Sequence, residues 1–98
     1  MNIDVQTEHV RMQPEWRRMI DEWVERCRRQ HPDVAGVEVM LRHGEDDRLG
    51  EMVTIDATAC RRHLRSAGRA AMMGVALHDA LDGVERELLV HEAVTRRM

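Results

Sequence analysis

Histidine and cysteine side chains are the first candidates for chemistry, since they bind metals and act as bases or nucleophiles. The six histidines of this 98-residue chain are scattered singly: His9, His31, His43, His63, His78 and His91. The two cysteines, Cys27 and Cys60, lack Cys-x-x-Cys spacing. No nucleophile elbow or phosphate-binding loop accompanies them. We therefore expect no metal, no cofactor, no disulfide, no small-molecule substrate and no enzymatic activity.

Arginine is the other residue type that could recognise a ligand, and it supplies every basic side chain here apart from histidine. A guanidinium can grip a phosphate bidentately where an ammonium cannot. The formal net charge is −3, which argues against indiscriminate nucleic-acid binding. The most one-sided basic cluster comprises Arg61, Arg62, Arg65 and Arg69, and no acidic residue lies between Ala57 and Leu77. This cluster is either an RNA-binding surface or a loop whose charge serves solubility.

Further arginines fall in the segment 14–30, where acidic residues are mixed among them. The basic members are Arg17, Arg18, Arg26, Arg28 and Arg29, and the acidic ones are Asp21, Glu22 and Glu25. Such mixing fits an ordinary solvated helix face as well as an RNA-facing stripe. Both interpretations stay open from the residues alone.

Alternating apolar residues predict four strands. The first begins at Met1, the second covers 37–41, the third 52–59, and a short fourth 64–67. A polar turn, Gly44–Gly50, separates the second and third strands, and the segment Cys60–His63 connects the third to the fourth.

Two amphipathic helices complete the pattern. The first runs from Pro14 to Gln30 and carries an apolar stripe that includes Trp16, with Trp23 nearer its edge. The second begins after Gly68 and runs toward the C-terminus. We expect a single α+β domain over residues 1–98, in the order β-α-β-β-β-α, with both helices on one face of a four-stranded sheet. Trp16 and both cysteines should lie in its core.

No apolar run approaches the length of a membrane span, and the N-terminal residues lack the pattern of a signal peptide. We therefore expect a cytoplasmic protein that does not bind membranes.

The chain resembles the short ribosome hibernation promoting factors and ribosome-associated inhibitors, also called sigma-factor modulation proteins. The resemblance covers nearly the whole chain and rests on the order and spacing of six segments rather than on one sharp motif. These are MNIDV, WRRMIDEWVERC, VEVML, VTIDA, LRSAG and VALHDALDGVERELL.

This resemblance implies a β-α-β-β-β-α domain that binds the small ribosomal subunit near the decoding region. Such a domain sterically inhibits translation under stress or in stationary phase, through basic side chains that contact rRNA phosphates. Taken together with the one-sided cluster, it predicts six RNA-binding residues: Arg17, Arg26, Arg62, Arg65, Arg69 and Arg86.

The sequence departs from the family pattern mainly on the second helix. Gly83 stands at a basic position, and Val90-His91-Glu92 replaces a Lys-His-Lys-like cluster. The alternative is a diverged module that binds a protein partner or homodimerises. It would use acidic residues of the second helix, Asp79, Asp82, Glu85 and Glu87.

Overall fold

The computed structural model describes residues 1–44, 48 and 50–96. The elements are β1 (Asn2–Glu8), α1 (Pro14–Gln30), β2 (Val34–His43), β3 (Glu51–Ala59), β4 (Arg62–Ala70) and α2 (Met73–Arg96). This β-α-β-β-β-α order confirms the predicted fold class. Four residues of the predicted polar turn, Glu45, Asp46, Asp47 and Leu49, lie outside the described residues.

The four strands form one sheet in the order β1-β2-β3-β4. β1 is parallel to β2 because α1 carries the chain back between them, whereas the β2–β3 and β3–β4 pairs are antiparallel. Val5 lies opposite Val39, and Val39 lies opposite Ile55. These apolar residues share one face of the sheet, and that face is the one the helices cover.

Both helices bury their apolar stripes against this inner face. α1 contributes Ile20 and Cys27, while α2 contributes Leu77 and Val84, all 1% exposed or less. Burying a Leu, Ile or Val side chain contributes roughly 1.5–3 kcal/mol each, so this shared interface is the main source of stability.

The sequence analysis placed Trp16 in the core and Trp23 nearer the edge of the apolar stripe, and the structure shows the reverse. Trp23 is 3% exposed and belongs to the core, whereas Trp16 is only half-buried and packs at the core's margin. Trp16 lies in the first turn of α1, at the end of the sheet, so no second layer covers it fully. Trp23 lies two turns later and borders α2. The helical period shows which residues of α1 form its apolar stripe. It does not show which of these residues lie beyond the sheet and α2 and therefore stay partly exposed.

β4 is longer than predicted, because the β3–β4 connection is a two-residue turn. Ala59 pairs with Arg62, and the intervening Cys60 and Arg61 both have positive φ, at 50° and 68°. This is the backbone of a tight primed hairpin turn, which glycine or asparagine normally adopts. The exposed position of Cys60 contradicts the buried one predicted for it, because a residue at the tip of a hairpin points away from the core.

Glycines let α2 approach β4 closely. A Cβ on Gly68 would lie 2.0 Å from the backbone oxygen of Ala76, and a Cβ on Gly83 would lie 2.1 Å from Ser66 Oγ. Gly83, which interrupts the helical pattern in the sequence, therefore sits where α2 meets the sheet.

Candidate nucleic-acid interface

The six arginines predicted to bind RNA come from three elements. Arg17 and Arg26 lie on the exposed side of α1, and Arg86 is exposed on α2. Arg62, Arg65 and Arg69 belong to β4, where all three are exposed.

The structure does not bring these six side chains onto one surface. Ser66 and Gly68 of β4 face α2, so Arg65 and Arg69, which alternate with them, project from the opposite face of the sheet. We call this uncovered side the open face. Arg17, Arg26 and Arg86 belong to the helical layer, on the other side of the molecule.

The open face is electrostatically mixed. Asp4, Glu38 and Asp56 are neighbours across β1, β2 and β3, and Arg65 continues that row on β4. Arg65 Nε donates to Asp56 Oδ1 over 2.8 Å, and Asp56 raises the pKa of the guanidinium through this hydrogen bond. Three carboxylates in a row weaken the attraction of this face for phosphate.

Two further arginines on the predicted list have protein contacts. Arg17 Nε lies 3.3 Å from Asp21 Oδ1, one turn along α1. Arg69 donates to the sulfur of Met52 on the open face over 3.2 Å. Ion pairs between exposed side chains contribute about 0–1 kcal/mol, so these contacts orient the guanidinium groups without fixing them.

The other three predicted residues, Arg26, Arg62 and Arg86, make no ion pair or side-chain hydrogen bond with the described residues. They share this property with a larger set across the described chain: Arg11, Arg18, Arg28, Arg29, Arg61 and Arg96. These guanidinium groups can bind phosphate without first giving up a carboxylate.

The hairpin turn concentrates this free positive charge at one end of the sheet. Arg61 and Arg62 are exposed, and His63 follows them in β4, 3.3 Å from Thr58 Oγ1. α1 ends near the same end of the sheet, because β2 follows it directly and begins at Val34, which pairs with Ala59 at the end of β3. The two basic residues of the last turn of α1, Arg28 and Arg29, therefore lie at this end as well.

The groove between the helices carries the opposite charge. Arg26 borders it together with Glu22, Asp82 and Glu85. His78, which also borders this groove, has its Nδ1 3.8 Å from an oxygen of Asp82. This acidic strip separates the arginines of α1 from Arg86.

A cluster of one buried histidine and two partly exposed glutamates links the end of α1 to α2, and the sequence analysis did not predict it. His31 is 2% exposed, and its Nε2 lies 2.9 Å from Glu85 Oε1, while its Nδ1 hydrogen-bonds to Glu92. Burial lowers the pKa of His31, but the hydrogen bonds and charges of Glu92 and Glu85 outweigh burial, so the pKa is raised. Glu85 is therefore paired with His31 and only partly exposed, which leaves its carboxylate less available to a protein partner.

The nearby thiol of Cys27 is held in its protonated form. Burial, with smaller contributions from the charges of Glu85 and Glu92, raises its pKa to about 11. His91, in the segment Val90–Glu92, is 8% exposed, so its side chain contributes little to the surface.

A second groove, of about 800 Å³, opens at the end of the sheet where both helices begin, and Trp16 forms part of its wall. Across the described chain, no group of three or more His, Cys, Asp or Glu side chains could hold a metal ion. No helix among the described residues is long and apolar enough to cross a membrane.

Comparison with known proteins identifies the fold. No protein-family model and no curated protein matches the chain. A ribosomal subunit interface protein from Coxiella burnetii has a similar structure, with a TM-score of 0.82 and 13% identity, covering 95% of this chain and 99% of that one. The N-terminal domain of Protein Y from Thermus thermophilus is also similar, with a TM-score of 0.73 and 17% identity, covering 90% of this chain and 96% of that one.

Both structures are of the hibernation-promoting-factor type, so the resemblance inferred from the sequence is confirmed in the fold. At these identities the likeness concerns the backbone and does not extend to individual surface residues.

Proposed function

We propose that this protein binds the small ribosomal subunit near the decoding region and sterically blocks translation under stress or in stationary phase. The observation that carries the proposal is its backbone similarity, over 95% of the chain, to a ribosomal subunit interface protein. Binding is the whole mechanism: the domain occupies space that other ligands need, and no bond is made or broken.

Phosphate contacts suit this role because they position a protein on RNA without reading its sequence. The free arginines of the helical layer and the hairpin turn are the best equipped for them. Among the described residues, Arg26, Arg62 and Arg86 have no carboxylate partner, whereas Arg17 and Arg65 must give up an ion pair with an aspartate before they can bind a phosphate. We therefore rank the first three, together with Arg69, above the ion-paired two.

Binding through arginine–phosphate contacts should weaken as salt rises, because each contact releases condensed counterions from the RNA. The acidic row on the open face and the acidic groove between the helices both oppose phosphate, and the basic cluster at Val90–Glu92 is absent. Affinity should therefore be lower than that of a member with a complete basic patch.

The test is co-sedimentation of the purified protein with isolated small and large subunits across a series of salt concentrations. We expect association with the small subunit at low salt and loss of it as salt rises. Replacing Arg26, Arg62 and Arg86 by Gln should flatten the log–log salt slope by about 0.7–0.9 for each phosphate contact removed. The same three changes to Lys keep the charge and serve as the matched control.

Arg65→Gln provides an internal comparison. Because Arg65 already pairs with Asp56, its replacement should change the salt slope less than Arg62→Gln does. A wild-type protein that fails to sediment with small subunits even at low salt would show that the proposal is wrong. Inhibition of cell-free translation by the wild type, but not by the triple Gln variant, would connect binding to function.

A protein-binding or homodimeric role is the second candidate, and the exposed apolar residues near the end of α2 favour it. Leu89, Val90 and Val94 are 53%, 62% and 43% exposed. Light scattering of the wild type and of Val90→Ser distinguishes a dimer from a monomer. A monomeric wild type would remove the homodimer and leave a different protein as the partner.

A further inference from the structure

The groove that contains Trp16 has a volume of about 800 Å³ and lies at the surface of the described chain. It lies where the β1–α1 connection, the first turn of α1 and the β4–α2 turn meet. Val10, Met19, Met72 and Met73 give it apolar walls. Met72 is 69% exposed, so this end of the molecule presents apolar surface to solvent.

Trp16 is the side chain in this groove best suited to a flat ligand. Its indole is half-buried, whereas Trp23 on the same helix is 3% exposed. The exposed part of a partly buried indole can stack on a second planar ring, and stacking on aromatic side chains is one way in which proteins bind unpaired bases.

The rim of the groove carries one guanidinium, from Arg18, and two carboxylates, from Glu15 and Glu51. Arg18 is exposed and makes no ion pair with any described residue, so its guanidinium is available for a phosphate. Glu51 is occupied by a hydrogen bond to His43, which leaves Glu15 as the carboxylate at the rim without such a bond. A carboxylate there can accept from the amino group of a base.

We propose that this groove receives one unstacked base of single-stranded RNA, with its ring on Trp16 and its phosphate at Arg18. The inference rests on the proposed RNA-binding function and names the part of the RNA that this end of the protein would hold. An apolar peptide side chain would fill the walls but leave Arg18 without a role, which is why a nucleotide fits better.

Intrinsic fluorescence gives a direct test, since the chain has two tryptophans and no tyrosine or phenylalanine. The probe is a short single-stranded RNA of mixed sequence, and the same RNA annealed to its complement is the control. We expect the single strand to quench the emission of Trp16 and the duplex to have little effect. Trp16→Leu should lose this quenching and weaken binding about tenfold, whereas Trp16→Phe should retain most of the affinity.

Arg18→Gln and Arg18→Lys provide a second, independent pair, because an exposed residue can be changed without loss of fold. Gln should weaken the binding of the single strand, and Lys should preserve more of it. Equal affinities for the wild type, Trp16→Leu and Arg18→Gln would overturn the proposal. So would quenching by an apolar dye but not by RNA, which would assign the groove to an apolar ligand.

Parallel sedimentation with small subunits separates this inference from the proposed function. If the wild type sediments but the RNA causes no quenching, the groove assignment fails and ribosome binding stands. If quenching depends on Trp16 but the protein never sediments, the groove binds a base and the ribosomal role fails.

Discussion

Replacing His31 by Gln should destabilise the protein in a pH-dependent manner. The imidazole is 2% exposed and bonds to Glu85 on one side and Glu92 on the other. His31 lies immediately after α1, and Glu85 and Glu92 lie two turns apart on α2. Their contacts with the imidazole therefore connect the end of α1 to α2. Gln carries both of its N–H donors on one nitrogen and has no positive charge, so it cannot replace both contacts of the imidazole.

The magnitude follows from the two charge-assisted hydrogen bonds, which contribute about 1.5–3 kcal/mol each when buried. The side chains of Glu85 and Glu92 are 31% and 25% exposed, so both can recover hydration when the imidazole is absent. Because Gln keeps one of these bonds and both carboxylates are partly exposed, we expect a loss of about 1–2 kcal/mol. A domain of this size has a total stability of about 5–15 kcal/mol, so the loss is readily measured.

The sign of the pH dependence follows from the raised pKa of His31. Stabilisation by a group whose folded-state pKa exceeds its unfolded value is fully present below the unfolded value, near 6.5, and is lost as pH rises through the folded value. Denaturant unfolding at about pH 6 and about pH 9 should therefore show a larger gap between wild type and variant at the lower pH. Cys27, with a pKa of about 11, stays protonated throughout this range.

His78→Gln is the matched control. Its side chain is 66% exposed and lies 3.8 Å from oxygens of Asp79 and Asp82, so the change should alter the unfolding free energy by less than about 0.5 kcal/mol. If His31→Gln matched this control, or if its effect did not vary with pH, the assignment of a charged, doubly bonded imidazole would be refuted.

Three further outcomes follow from packing and burial. Gly68→Ala should lower the unfolding free energy by about 3 kcal/mol or more in a denaturant titration, because the added Cβ would lie 2.0 Å from a backbone oxygen of α2. Gly74→Ala is the control: its added Cβ would have nothing within 4 Å among the described residues outside its own helix, so the change should be neutral or slightly stabilising. A thiol reagent near neutral pH should label Cys60 quickly and Cys27 only on unfolding, and mass spectrometry of the labelled peptides distinguishes the two. Leu81→Ala should reduce stability by about 2–5 kcal/mol by chemical denaturation, since the side chain is 7% exposed in the core, and a change below about 0.5 kcal/mol would place it at the surface.

Most of the fold could be predicted from the sequence, because its signals are periodic and local. Alternation in residues 37–41 and 53–59 identified the central strands, and the helical stripe of residues 14–30 gave α1 with the observed bounds. The error on β4 has a local cause. Two non-glycine residues, Cys60 and Arg61, adopt the positive-φ turn, so the residues that normally indicate a tight hairpin are absent.

The candidate site was less predictable, because it depends on which elements meet. His31 and Glu92 are 61 positions apart, and no spacing rule connects them. The sequence analysis grouped the arginines of β4 because they are close in sequence. The alternation of side chains along the strand places Arg65 on the open face, where it donates a hydrogen bond to Asp56 of β3. The half-exposure of Trp16 likewise depends on where the sheet ends, which a helical stripe does not encode.

These placements explain how a protein with a net charge of −3 could still bind a polyanion. Four of the acids are paired within the fold: Glu85 and Glu92 contact His31, Asp56 pairs with Arg65, and Glu8 pairs with Arg42 over 2.8 Å. Charges separated by more than about 8 Å are screened at physiological salt, so local balance decides attraction more than the total does. Arg61 and Arg62 of the hairpin turn, and the arginines of α1 other than Arg17, have no carboxylate partner among the described residues. RNA phosphates should therefore approach these regions rather than the acidic open face.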